Sequence, residues 1–264
     1  MIHDIIKDKP TRLFLILGGF FVANALIAEF MGVKIFSLEE TFGLKPVSIN
    51  LFGDVYSFNL TCGVLLWPIV FVMTDTINEY YGRKGVRFIS WMAVVLIAYG
   101  FLMLFGAMHT TPNSWWITSK QTVGIENMST AYNGIFGQGL GIIIASIFAF
   151  LVGQLVDVLI FHRIKRKTGE KHIWLRTTGS TLVSQFIDSF VVLIIAFYLY
   201  PKWVPGQGSA WPINQVLAIG IVNYIYKFIM AILLIPVIYF IHHRIEKYLG
   251  PEKAAEMKKA AMRG

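Results

Sequence analysis

Residues 213–241, INQVLAIGIVNYIYKFIMAILLIPVIYFI, are apolar almost throughout and carry a single charge, Lys227. About 20 such residues in a helix rise roughly 30 Å, the thickness of a bilayer's hydrocarbon core. Five more apolar runs of similar length precede this one, at about 12–31 (RLFLILGGFFVANALIAEFM), 57–74, 86–108, 139–162 and 178–200. They are continuous and lack the alternation of membrane-barrel strands. The expectation is an all-α, polytopic membrane protein with six transmembrane helices in a single domain, 1–264. Composition agrees, since 56% hydrophobic against 14% charged residues is more apolar surface than one soluble core can bury.

The net charge of +8 raises the question of nucleic-acid binding, which its distribution answers. Eighteen of the 23 basic residues fall before the first run, between the second and third, after the fourth and in the C-terminal tail. Lys165 and Arg176 are counted among them. The opposite loops hold only Lys34, Lys45, Lys120 and Lys202. That bias places both termini in the cytoplasm, and lipid, not nucleic acid, is the partner it implies. The tail after residue 246 reads as a solvated or interfacial helix at most. Cys62 is alone, which leaves no cysteine for an intramolecular disulfide. Ala23-Asn24-Ala25 resembles a signal-peptide cleavage site, but the apolar run continues to Met31, as in an uncleaved helix.

The external segments 32–56 and 109–138 are rich in aromatic, Gly and Asn residues and are read as caps over an entrance or as an interfacial belt. Trp67, Trp91, Trp203 and Trp211 fit a belt as well. Gly137, Gly139 and Gly141 precede a membrane helix, not a strand-flanked phosphate loop, so close helix approach is their expected role. No ATP-binding motif is present, and the sequence calls for neither a cofactor nor a resident metal.

Chemistry is therefore sought among polar residues inside the runs, where a charge is costly and needs a partner or a cavity. In the fifth run Ser184, Gln185 and Asp188 share one helical face. In the sixth, Asn223 and Lys227 do the same. Counted from the cytoplasmic ends, Asp188 and Lys227 lie within roughly 5 Å of the same depth. An ion pair is expected, serving either as a staple or as part of a site. Gln154 and Asp157 stand near the inner end of the fourth run, where Asp157 is expected to be half solvated and within reach of Arg163. Asn24 is the strongest polar group in the middle of the first run. Asp75 and Glu79 lie at i, i+4 at the boundary between runs two and three. They could hold Mg²⁺ in a membrane transferase, although only one such motif occurs and no other hydrolase or protease motif accompanies it.

Several motifs recur together: T-D-x-x-N-E-x-Y-G at 74–82, A-S-x-x-A-F-x-x-G-Q-x-x-D at 145–157, W-L-R-T-x-x-S-T-x-x-x-Q-x-x-D-S at 174–189 and N-Y-x-x-K at 223–227. In this order they resemble the queuosine precursor transporter family over about residues 20–240. The resemblance implies a non-enzymatic inner-membrane importer of a 7-deazaguanine for transfer-RNA modification. It also implies a likeness to the substrate-binding subunits of energy-coupling-factor importers, which would require an ATPase partner, and it leaves room for a homodimer. The residues expected to bind the solute are Asn24, Asp75, Gln154, Asp157, Gln185, Asp188, Asn223 and Lys227. Carboxylates would accept from ring N–H groups and amides would serve ring carbonyls and nitrogens. Phe71, Phe190 or Tyr224 would stack on the ring.

Overall fold

A computed structural model describes residues 7–137, 140–169, 172–204 and 209–263. Helices dominate: α1 (Lys9–Met31), α2 (Leu38–Thr41), α3 (Trp67–Met108), α4 (Ser114–Thr118), α5 (Met128–Phe136), α6 (Leu140–Thr168), α7 (Ile173–Leu193), α8 (Tyr200–Trp203), α9 (Ile213–Leu233), α10 (Ile235–Leu249) and α11 (Pro251–Arg263). A π-helical segment, Ile194–Leu199, joins α7 to α8. Five helical stretches, Lys9–Met31, Trp67–Met108, Met128–Thr168, Ile173–Trp203 and Ile213–Leu233, are long and apolar enough to cross a membrane.

The distribution of side chains is that of a protein dissolved in lipid. Leu15, Phe20, Phe88, Leu102, Phe148 and Leu155 lie exposed on the outside, while Asp75, Glu79, Asp157, Lys165 and Arg176 are buried inside. A water-soluble fold of this size has the opposite arrangement.

A straight helix of the 42 residues of α3 would be about 63 Å long, twice the hydrocarbon thickness. Instead α3 reverses at Gly82, whose φ of 67° and ψ of −168° are non-helical. Contacts with α1 establish the reversal. Before the break, Gly63 lies against Ala28 and Gly32, and Tyr81 lies against Phe14, so 67–81 runs antiparallel to α1. After it, Ile89 faces Gly18 and Gly100 faces Phe30, so 83–108 runs parallel to α1.

A Cβ on Gly82 would sit 2.9 Å from the Ala261 carbonyl oxygen, in a backbone region open essentially to glycine alone. Gly82→Ala is therefore expected to cost about 1–3 kcal/mol. The measurement is a thermal melt in detergent, and protease should also cut at 251–263 sooner in the variant than in the native chain.

The second helix starts at Trp67, not near 57 as the apolar run suggests. Residues 59–61 form a strand, β4 (Asn59–Thr61), paired antiparallel with β1 (Ile35–Ser37), and β2 (Ile49–Leu51) pairs with β3 (Asp54–Tyr56). A 3₁₀ turn, Cys62–Leu65, leads into α3, and Pro68 sits in its first turn where no N–H is needed. Glu39 pins this loop by accepting from the Val47 and Phe58 amides at 3.2 and 3.0 Å. The last apolar run is also divided: α9 ends at Leu233 and α10 begins beside Pro236. Nor is the tail merely solvated, because Ala254 and Met257 of α11 join the core that α1 and α3 build. Gly141 meets the Tyr200 ring, the close approach its small size permits; Gly139 lies outside the described residues.

Candidate functional site

Polar side chains of α3, α6 and α7 meet in three levels inside the bundle. Asp75, Asn78 and Glu79 share one face of α3 because their spacings are i, i+3 and i+4. At the level nearest the Gly82 turn, Arg176 of α7 grips Glu79 with two hydrogen bonds, 3.0 Å from Nε and 2.8 Å from Nη2. Lys165 of α6 adds a contact of 3.0 Å. All three side chains are at most 1% exposed. Next to them His162 meets the Asn78 carbonyl oxygen at 2.8 Å, and His242 meets the Tyr80 hydroxyl at 3.1 Å.

Lys165 and Arg176 are thus not solvated loop cations, as the charge bias suggested, but two of the three members of a buried ion cluster. With both oxygens of Glu79 taken by cations, the Asp75/Glu79 pair does not form the joint Mg²⁺ site that its spacing allowed.

His242 lies on α10, beyond the candidate spans, and burial, reinforced by Lys258, Arg176 and Lys165, pushes its pKa down to about 3. The unfolded chain would protonate near 6.5, so this group's contribution is complete above that pH and shrinks as pH falls toward 3. Melting curves between neutral and acidic pH should therefore fall more steeply for the native chain than for His242→Phe.

At the second level Asp75 and Asp157 are 2% and 0% exposed. Thr181 donates to Asp75 at 3.4 Å, and Ser184, a turn further along α7, donates to Asp157 at 3.3 Å. Asp157 is therefore neither half solvated nor paired with Arg163. Gln154 donates to Thr74 at 3.2 Å. One oxygen of each aspartate, the Gln154 carbonyl oxygen and both polar atoms of Gln185 find no hydrogen-bond partner among the described residues. Buried groups of this kind are normally satisfied.

At the third level Lys227 of α9 donates to Asp188 of α7 at 2.5 Å, the pairing that matched depth implied. Its side chains keep 12% and 22% of their exposure, more than the groups below.

A narrow cleft of about 30 Å³ lies between these levels, with Asp75, Thr181, Gln185 and Lys227 on its walls beside Trp67 and Phe71. Four of the sequence candidates (Asp75, Gln185, Lys227 and, through Lys227, Asp188) converge there. Gln154 and Asp157 stand behind it, and Asn223 lies one turn from Lys227 without lining it. Asn24 donates to the Phe20 carbonyl of its own helix at 2.8 Å, so its donor serves local structure.

Sequence reasoning missed Thr181 and Trp67. Phe190 instead packs on Gly220 and Phe186, and Tyr224 on Phe186, so of the three expected stacking rings only Phe71 reaches the cleft. Glu29, also missed, accepts from Ser146 at 2.5 Å. Its position inside the first apolar run was the available signal.

Residues 61–241 match the family described as "Putative vitamin uptake transporter". The chain belongs to that family. It is 28% identical to the "Probable queuosine precursor transporter" of Haemophilus influenzae over 233 residues, 87% of this chain and 86% of the relative. It is also 28% identical to the protein of that name in Bacillus subtilis and 26% identical to the "Queuosine precursor transporter" of Escherichia coli. Each of these two alignments covers 70% of this chain and 73% of the relative. No solved structure matches. Membership and the apolar helices make the protein a multi-pass integral membrane transporter, of a kind that bacteria keep in the inner membrane.

Proposed function

We propose that the chain is a six-span importer of 7-deazaguanine precursors of queuosine, with both termini in the cytoplasm and no chemical conversion of the solute. Six crossings follow if each half of the reversed α3 counts as one, and the basic Gly82 side then faces the cytoplasm. The observation that carries the binding reading is the Gln185 carboxamide, buried and without a partner beside an unpaired oxygen of Asp75 in a cleft with aromatic walls. A guanine-type edge offers adjacent N–H donors and a carbonyl, which a carboxylate, an amide and a lysine ammonium complement. Trp67 and Phe71 supply ring faces. Three named queuosine precursor transporters among the relatives support the substrate class.

The test is uptake of labelled 7-deazaguanines by cells that cannot make them. Native chain should restore accumulation, and Gln185→Leu should lower it at least tenfold, about 1.4 kcal/mol of binding. Failure of well-expressed native chain to take up any of these bases would exclude the substrate. Co-purification of an ATPase would move the chain toward an energy-coupling-factor assembly.

A further inference from the structure

Two carboxylates inside the bundle have a cation as partner: Glu79 is held by Arg176 and Lys165, and Asp188 by Lys227. Asp75 and Asp157 form no ion pair among the described residues, receive only hydroxyl donors from one helix, and each keep one oxygen without a partner. Thr181 and Ser184 stand one turn apart on α7, so the hydroxyls that reach the two carboxylates are neighbours.

Two neighbouring anions without a cation, in a site this dry, carry a prohibitive desolvation cost, so the stable arrangement holds a proton. The charged groups around them do not remove that need. Glu79, one turn along α3, adds negative charge; Arg176 on α7 is committed to Glu79; Lys227 on α9, across the cleft, is committed to Asp188. Gln154 of α6, 4% exposed, sits at i−3 from Asp157 with its carbonyl oxygen unpartnered, and the unpartnered Gln185 shares the cleft with Asp75.

We propose that Asp75 and Asp157 form the binding site of one coupling proton, which makes the importer a proton symporter. The inference rests on the transport reading above. Asp75 lines the solute cleft and Asp157 lies behind it, so the two carboxylates connect solute and proton occupancy. A proton from the outer water enters through the cleft onto Asp75 and is shared with Asp157 beside the Thr181 hydroxyl. Neutralising the pair lets the loaded protein reorient, and the proton leaves to the cytoplasm with the solute. In the empty protein water in the cleft solvates Asp75, which lets it return deprotonated; solute bound without the proton displaces that water and leaves the two charges to hold the protein back.

The experiment uses the full chain in proteoliposomes with labelled 7-cyano-7-deazaguanine, a neutral base. An acidic exterior should drive accumulation by up to about tenfold per pH unit for one proton. Asp157→Asn should bring the steady-state ratio to one, and Asp157→Glu should restore it. That ratio is thermodynamic and does not depend on how fast the variant turns over. In weakly buffered detergent solution alkaline enough to strip the proton from the empty pair, solute added to native protein should also draw about one proton per molecule bound from bulk, a readout that needs no variant.

A ratio of one in the native chain with solute exchange intact, accumulation that follows a sodium gradient instead, an undiminished ratio in Asp157→Asn, or no proton uptake on binding would each overturn the coupling site. Absence even of solute exchange would overturn the transport reading itself, and the coupling site with it.

Discussion

Replacing Glu79 by glutamine is expected to destabilise the folded chain by about 3–5 kcal/mol, the usual consequence of removing one partner from a buried ion cluster. Glu79 is 0% exposed and pairs with both Arg176 and Lys165, a reach that ties α3 to both α6 and α7. Glutamine keeps the size and one acceptor but removes the negative charge that both cations share. In detergent the midpoint should fall by roughly 6–20 °C, taking about 2–4 °C per kcal/mol for a chain of this size. Combining Glu79→Gln with Arg176→Met should recover part of the loss, because it removes one of the stranded charges. A single variant that melts within a degree or two of native would show that apolar packing alone holds the three helices together.

How much of this was legible in the sequence follows from what each signal measures. Run length reports the solvent of each segment, so the apolar helices were readable. Depth along a helix is arithmetic, and the Asp188–Lys227 pair followed from it. The same signals are blind to long-range pairing. Arg176 and Glu79 are 97 residues apart, and a count of loop cations cannot distinguish a solvated arginine from one buried against a carboxylate. Hydropathy also cannot separate an apolar strand and 3₁₀ turn from an apolar helix, so the second span was placed ten residues early; Pro68, suited to a first helical turn, was the signal that could have corrected it. Likewise Pro236 marked the division between α9 and α10 inside an unbroken apolar run. In the site, identity of residue type was enough to find Asp75, Gln185 and Lys227, whereas Asn24 and Asn223 have the right chemistry on faces that do not reach the cleft.

Lys227→Met and Asp188→Asn are each expected to reduce 7-deazaguanine uptake at least tenfold, and the double variant is expected to stay as low as either single one. The reasoning turns on what the pair is for. If it only stapled α7 to α9, each single change would strand one charge in the bundle, and removing both charges together would relieve the damage and restore uptake. If Lys227 instead serves the solute, with Asp188 orienting its ammonium toward the cleft, the double variant lacks a donor that binding requires, and no relief follows. The geometry favours the second case. Lys227 lines the cleft beside Asp75 and Gln185, and the pair retains more exposure than Glu79, Lys165 or Arg176, as expected of groups a solute must reach. Melting midpoints of all three variants supply the companion measurement: the singles should melt below native and the double near it. Uptake and stability therefore separate. Recovery of stability without recovery of uptake assigns Lys227 to the site, and recovery of both assigns the pair to the scaffold.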